Sequence, residues 1–183
     1  MRDPQPQPGS EAASATLGVA IAVPQPHATV LRRWRRACGD PAADRIWPHV
    51  TLLPPTPVPL ADWDRIEEHL ATAARVVEPF SIHLSGTGTF RPTSPVVFVQ
   101  VANGVAQCET LERAIRQGPL ARELQFPYHP HVTVAQEVPD ASLDLAYDGL
   151  AEFTARFAVT HFVLFSRTDD RRWEWRTEFL LGA

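Results

Sequence analysis

Residues 47–53 read Trp-Pro-His-Val-Thr-Leu-Leu, and the tetrapeptide Pro-His-Val-Thr occurs again at residues 130–133, inside Tyr-His-Pro-His-Val-Thr-Val-Ala. Short apolar segments of this kind, bounded by prolines, predict a β-strand in both places. His131 follows His49 at an offset of 82 residues. The same strand therefore occurs once in each half of a chain of 183 residues.

The segments around the two motifs repeat in the same order, which is strand, helix, motif strand, helix, strand. Val19 in the first strand corresponds to Val97 at an offset of 78 residues, close to the offset of the motifs. A nearly constant offset over several elements indicates an internal duplication. We therefore predict two α/β lobes, at residues 16–91 and 95–183, whose strands can be exchanged between them and whose motif strands face each other.

Side chains alternate along a strand with a period of two, so the histidine and threonine of each motif lie on one face. His49 and Thr51 are predicted to point into a cleft between the lobes, as are His131 and Thr133. The apolar residues between and after them are predicted to point into the core; they are Val50, Leu52, Val132 and Val134.

Two imidazoles and two hydroxyls around one cleft suit phosphodiester chemistry. The pKa of an unperturbed histidine lies near 6.5, so one imidazole can be neutral and the other protonated at the same pH. The neutral ring removes a proton from the nucleophile and the protonated ring gives one to the leaving oxygen. The threonine hydroxyls can donate to the non-bridging phosphoryl oxygens. This chemistry requires neither a cofactor nor a metal.

The composition bounds what else the protein can be. A hydrophobic fraction of 44% and a charged fraction of 21% are ordinary for one globular domain, here predicted at residues 16–183. The net charge of −4 argues against a protein that coats long nucleic acid, but permits an RNA end or a small nucleotide as partner. All 17 residues counted as Lys or Arg are Arg, which excludes Schiff-base chemistry and a phosphate-loop lysine.

Residues 1–15 are rich in Pro, Gln, Ser and Ala and predict a disordered tail rather than a signal peptide. No apolar run reaches the length of a membrane span, so we expect no membrane contact. Cys38 and Cys108 form neither a disulfide framework nor a metal pair, and we predict two reduced, buried thiols. The expectation is a cytoplasmic protein, and a monomer.

The two His-x-Thr motifs, their separation and the duplicated order of elements resemble the two-histidine (2H) phosphoesterase superfamily. The similarity is to its bacterial branch of RNA 2′,5′-ligases and RNA 2′,3′-cyclic phosphodiesterases, and it covers residues 17–181. Gly-Thr-Gly-Thr-Phe at 86–90 with Val-Val-Phe-Val-Gln-Val at 96–101 also resembles that branch, as does the closing pair of strands at 162–167 and 178–181.

The resemblance implies a bilobal α+β fold, with antiparallel sheets around a central cleft and helices outside. It makes His49 and His131 the acid–base pair and Thr51 and Thr133 the phosphate-binding residues, with a 2′,3′-cyclic phosphate as substrate and 2′-5′ ligation as the reverse reaction. One residue departs from the pattern, because Gln136 follows the second motif where many relatives carry an arginine. The site must then do without that charge or obtain it elsewhere.

Several other readings remain open from the sequence. Phe90, Arg91 and Tyr128 lie near the motifs and are candidates for substrate binding through a base or a phosphate, although packing roles are equally expected. The arginines of residues 32–36 either grip RNA or form a solvated helix face. His129 with both motif histidines could form a metal trio. Finally, the fold could bind nucleotides or RNA without turnover, or hold its histidines for packing alone.

Overall fold

A computed structural model describes residues 13–167 and 172–183. Within those residues the chain forms eight strands and four α-helices. The strands are β1 (Ser14–Ala22), β2 (His49–Pro59), β3 (Phe80–Thr89), β4 (Val96–Asn103), β5 (His131–Gln136), β6 (Thr154–Val159), β7 (His161–Arg167) and β8 (Trp173–Leu180). The helices are α1 (His27–Ala37), α2 (Trp63–Ala74), α3 (Val105–Ile115) and α4 (Asp140–Gly149). Most of the predicted tail, residues 1–12, lies outside the described residues, and β1 begins at Ser14.

The strands form two antiparallel sheets of four, with the orders β2-β1-β7-β8 and β5-β4-β3-β6. Each sheet combines the two halves of the sequence, because β3 pairs with β4 while β7 pairs with β1. The motif strands β2 and β5 are the edge strands of the two sheets and contact each other. The predicted α+β class with antiparallel sheets is confirmed.

The motif strand β2 is longer than the sequence predicted. We expected Pro54 and Pro55 to end it, but the strand continues to Pro59. Proline lacks a donor N–H and is tolerated where that side of the strand needs no partner. β2 meets these conditions because it is an edge strand and pairs within its sheet only with β1.

Helix α1 differs from its predicted amphipathic pattern. Helical spacing in the sequence predicts Val30 on the apolar face with Leu31, and Arg35 off that face, but Val30 is 39% exposed and Arg35 only 2% exposed. The buried residues of the helix are Ala28, Leu31 and Arg35. They are spaced as one helical face, and the last of them is a charged side chain. Cys38, the residue that caps the helix, is buried as predicted, and so is Cys108 of α3.

The first helix of each half packs against the motif strand of the other half. Helix α1 contacts β5, and helix α3 contacts β2. This crossed packing brings side chains of the first helix to the second motif. Among the described residues, no helix is long and apolar enough to cross a bilayer.

The last strand contains an irregularity that reorients its aromatic residues. Strict alternation along residues 173–180 predicts Trp173, Trp175 and Phe179 on one face of the strand. In the ladder with β7, however, Thr177 pairs with Leu164 and Trp175 pairs with Phe165, so the intervening residue is a bulge. A bulge reverses the alternation of faces. Trp173 and Trp175 therefore lie on the opposite face of β8 from Phe179, which is buried.

Candidate active site

The two motifs occupy equivalent positions, each at the start of its strand. Val50 and Val132 are both 0% exposed, as the alternation predicted. His49 and Thr51 are only half-buried on the opposite face of β2, and the residues of the second motif are half-buried in the same way on β5. The strands therefore hold their polar side chains where the two sheets meet.

Both imidazoles are held by the same local hydrogen bond. His49 Nδ1 lies 2.6 Å from the backbone oxygen of Trp47, and His131 Nδ1 lies 2.7 Å from that of His129. A carbonyl can only accept, so Nδ1 carries the proton in each neutral ring and Nε2 keeps its lone pair. Neither Nε2 has a hydrogen-bond partner within residues 13–167 and 172–183. Both rings are thus oriented alike, with one nitrogen available for proton transfer.

A cavity of about 290 Å³ lies beside His49 and takes its lining from both sheets, although His131 is not one of its lining residues. His49 and Thr51 line it from β2, and Thr133 and Gln136 line it from β5. In the described part of the chain, neither threonine hydroxyl forms a hydrogen bond, and no side-chain nitrogen or oxygen is sealed from solvent without a partner. The two hydroxyls are therefore free to bind a ligand in the cavity.

The environment disfavours protonation of both imidazoles. Burial above all, together with the positive charges of Arg35 and of a protonated His131, lowers the pKa of His49 to about 4, against the opposing effect of the Trp47 carbonyl. Burial also lowers the pKa of His131, and a protonated His129 adds to that shift. Desolvation disfavours the charged form of an imidazole, so burial lowers the pKa of the ring. The strands that carry the two rings, β2 and β5, contact each other.

His131 is surrounded by aromatic rings. The ring centroids of Phe90 and Phe98 each lie 5.0 Å from that of His131, and the two phenyl rings lie 4.5 Å from each other. Phe98 packs over Gly88, its direct partner in the adjacent strand. Among residues 13–167 and 172–183, no such pair of phenyl rings lies against His49, where Gly18 and Ala20 of β1 line the cavity. The open space is thus on the His49 side.

Gly88 supplies the room that Phe98 needs. A Cβ atom at Gly88 would lie 2.6 Å from the Phe98 ring, so Gly88→Ala must displace a ring that contacts His131. We expect this variant to lose about 1–3 kcal/mol of unfolding free energy, measured by urea denaturation. Gly18→Ala is the matched control, since its added Cβ would lie 3.3 Å from Trp173 and should cost less. Equal losses for the two variants would contradict this explanation.

The three other predicted substrate-binding residues lie in different surroundings. Phe90 belongs to the aromatic group around His131. Arg91 forms an ion pair with Asp144, with Nη1 2.8 Å from Oδ1. The hydroxyl of Tyr128 donates to the backbone oxygen of Thr51 over 2.9 Å. Tyr128 therefore ties the segment before β5 to β2, and burial raises the pKa of its hydroxyl.

The alternative uses of histidine and arginine can also be located. No group of three His, Cys, Asp or Glu side chains is arranged to hold a metal ion in the described ranges, so the trio with His129 is not assembled. Arg32 and Arg36 both form ion pairs with Asp44 on the surface. The arginines at residues 32–36 thus divide into Arg32 and Arg36, which share Asp44, the exposed Arg33 and the buried Arg35.

Sequence reasoning missed a second set of residues at the site. Arg35, Phe165 and Trp173 line the cavity, from α1, β7 and β8. A second groove of about 330 Å³ continues from it and shares Trp47, Phe165 and Trp173 with it. Trp175 also lines this groove and is 45% exposed. The only signal in the sequence was the aromatic pair at 173 and 175, whose orientation depends on the bulge.

Comparison with known proteins agrees with this arrangement. Residues 23–171 match the 2′-5′ RNA ligase superfamily. A Bacillus cytotoxicus protein named "Putative phosphoesterase" is 27% identical over 145 residues, covering 78% of this chain and 84% of that protein. A similarly named protein of Bacillus mycoides is 25% identical over the same shares.

Solved structures show the same fold. Escherichia coli LigT complexed with NADP+ has a TM-score of 0.66 and 22% identity, covering 93% of this chain and 100% of that one. LigT complexed with 3′-AMP has a TM-score of 0.64 and 21% identity over the same shares. The family match spans both Pro-His-Val-Thr motifs and most of the elements that carry the cavity, so the chain belongs to the 2′-5′ RNA ligase superfamily.

Proposed function

We propose that the protein hydrolyses 2′,3′-cyclic phosphates, at RNA ends or on small nucleotides, with His49 and His131 as an acid–base pair. One observation carries the proposal. Two imidazoles are anchored through Nδ1 by equivalent hydrogen bonds and leave Nε2 free on contacting strands, and His49 lines a cavity together with two unpartnered threonine hydroxyls. That arrangement provides a base, an acid and donors for a phosphoryl group in one place.

The roles of the histidines follow from their neighbours. The positive charge of Arg35 disfavours protonation of His49, so His49 is the group that stays neutral and acts as the base. Its Nε2 takes a proton from water as the water oxygen bonds to phosphorus. The bond from phosphorus to one ribose oxygen breaks, and His131 Nε2–H gives that oxygen its proton. The product is a nucleoside or RNA 2′- or 3′-monophosphate.

The threonines act on the charge that builds up during this step. Negative charge accumulates on the non-bridging oxygens as the fifth bond to phosphorus forms. Thr51 and Thr133 line the cavity from opposite sheets, so each can donate to a different oxygen. Donors already held in place stabilise the transition state without reorganising. With an RNA 5′-hydroxyl in place of water, the same steps form a 2′-5′ bond: the 5′-oxygen bonds to phosphorus, and the bond from phosphorus to the ribose 3′-oxygen breaks as that oxygen takes a proton.

The groove beside the cavity accommodates the nucleoside. Trp173 and Trp175 offer ring faces on which a base can stack, and Arg32 and Arg45 add positive charge nearby. Nucleotides occupy the related fold, since LigT has been solved with 3′-AMP and with NADP+. We place the reaction in the cytoplasm, where thiols are kept reduced, because both cysteines are unpaired.

Turnover of defined substrates tests the proposal. The purified chain is incubated, with a chelator present, with adenosine 2′,3′-cyclic phosphate and with an RNA oligonucleotide that ends in a cyclic phosphate. Products are separated by chromatography and identified by phosphorus NMR. Turnover by the wild type and its loss in His49→Ala are expected. No turnover of either substrate contradicts the proposal, and ligand binding without turnover supports a nucleotide-binding protein instead.

The pH dependence should be shifted to the acid side. The base must be neutral, so kcat/KM rises with pH through about 4, the lowered pKa of His49. The acid must be protonated, so kcat/KM falls as pH rises through the pKa of His131, which is lowered from 6.5. We expect a bell-shaped profile with its maximum between these limits, measured with the cyclic nucleotide.

The profile of kcat should differ from that of kcat/KM. A bound phosphate anion favours the protonated imidazole and raises its pKa. The falling limb of kcat is therefore expected at higher pH than that of kcat/KM. A profile that is flat between pH 4 and 8 would contradict catalysis by paired histidines.

A further inference from the structure

We propose that Arg35 binds the phosphate in the cavity and supplies its positive charge from outside both motifs. The inference rests on the proposed function for the anionic nature of the substrate. Arg35 lies on α1, which contacts β5, and its side chain lines the cavity together with His49, Thr133 and Gln136. The guanidinium of the first half thus reaches the site between the two motifs.

The guanidinium is fixed in place by the protein. Nε donates to Asp40 Oδ2 over 2.9 Å, and Nη1 donates to the backbone oxygen of Ile46 over 3.3 Å. The other carboxylate oxygen of Asp40 accepts from the N–H of Ala42. Nη2 has no hydrogen bond within the described residues, yet no side-chain nitrogen there is sealed without a partner. Nη2 is therefore open to the cavity and free to donate to an anion.

The cavity otherwise carries no positive charge. Of the described residues that line it, Arg35 alone has a permanent charge. Both imidazoles are driven toward their neutral form, and Gln136 offers an uncharged amide. The side chain of Asp40 is 0% exposed, so the carboxylate lies behind the arginine and away from the ligand space. A phosphodiester carries one negative charge, which the positive charge of Arg35 would complement in the cavity.

The architecture itself does not require a buried arginine. The buried residues of α1 are Ala28, Leu31 and Arg35, and those of α3 include Cys108, Leu111 and Ile115. The two sets have the same spacing at a constant offset of 80 residues. Ile115 of the second half thus fills the helical position that Arg35 holds in the first. Since an isoleucine serves for packing there, the charge of Arg35 calls for another explanation.

Phosphate binding by matched variants tests the inference. Arg35→Gln is combined with Asp40→Asn, because removing both charges leaves no unpaired ion in the interior. The affinity for adenosine 2′- and 3′-monophosphate is measured by calorimetry, and folding by circular dichroism and thermal unfolding. We expect a loss of about 10- to 100-fold in affinity, as for a hydrogen bond to a charged group. Arg33→Gln is the control, since Arg33 is exposed on the same helix.

The wild-type protein gives a second readout that does not depend on a variant. The side-chain N–H resonances of Arg35 are followed by NMR as adenosine 3′-monophosphate is added. We expect them to shift in parallel with those of the His49 ring. Arg35 resonances that stay unchanged while the His49 ring responds would overturn the inference, as would wild-type affinity in a folded double variant.

The outcomes separate this inference from the proposed function. If the wild type cleaves cyclic phosphates and the double variant binds monophosphates equally well, the Arg35 role is wrong and the function stands. If the wild type binds monophosphates through Arg35 but cleaves no cyclic phosphate, the Arg35 role stands and the function is wrong. If the wild type binds no phosphate ester, both are wrong.

Discussion

Replacing His49 with alanine is expected to lower kcat on a 2′,3′-cyclic nucleotide by about 10²- to 10⁴-fold, the usual contribution of a general acid or base. The imidazole is anchored at Nδ1 and free at Nε2, so alanine removes the proton acceptor and no other catalytic contact. His131→Ala should cause a loss of the same order, because it has the same anchoring. Initial rates at saturating substrate, with the chelator present, measure both effects.

The double variant provides a sharper result than either single one. When two groups transfer protons in one step, removing the second costs little after the first is lost. We therefore expect the double replacement of His49 and His131 to be about as slow as the slower single variant. Multiplied losses would indicate that the histidines act independently, contrary to the proposed mechanism.

His83→Ala is the matched control for these variants. His83 lies on β3, where its Nε2 is 3.0 Å from the hydroxyl of Thr154. It does not line the cavity, so its loss should leave kcat unchanged. Thermal unfolding of all the variants distinguishes a loss of chemistry from a loss of structure.

Replacing Thr51 or Thr133 with valine is expected to lower kcat by about 10²- to 10³-fold each, the range observed when one transition-state donor is removed. Valine retains the shape of threonine and lacks only the hydroxyl. Neither hydroxyl is hydrogen-bonded within the described residues, so the change leaves no other group without a hydrogen-bond partner. The unfolding temperature should therefore remain close to that of the wild type. Rates and melting curves are measured on the same preparations.

Serine restores the hydroxyl and gives the complementary test. Thr51→Ser and Thr133→Ser should recover most of the lost rate, because the donor is present again. Thr110→Val is the control, since its hydroxyl donates to the backbone of Ala106 on the exposed face of α3. A slow Thr110→Val variant, or fast valine variants at both motif positions, would refute the role assigned to the hydroxyls.

The faces of the motif strands could be predicted from the sequence because they depend on local alternation. His49 and Thr51 needed only the period of two to be placed together, and the repeat placed the second pair. Arg35 could not be predicted in this way, because four arginines at residues 32–36 suggest a solvated face. Its burial depends on Asp40, five residues later in a loop that sequence patterns do not orient.

The aromatic residues that line the site could not be predicted from local sequence patterns either. Phe165 lies opposite Gly18, a partner almost 150 residues earlier in the chain. The direction of Trp173 depends on a bulge whose position is set by pairing with β7. The prolines of β2 likewise suggested an end to the strand, since only the sheet order reveals that this strand is an edge. Non-local pairing therefore determined most of what the sequence did not predict.

The exchange of strands between the two sheets affects how the protein folds as it is made on the ribosome. β1 and β2 emerge early, but two strands of their sheet, β7 and β8, are translated more than 100 residues after β2. The nascent chain thus carries His49 on an unfinished sheet until β8 has left the exit tunnel. All strands of the sheet that carries His131 are translated before β7, so the His49 half of the site should be completed last, and a product truncated before β7 would lack it.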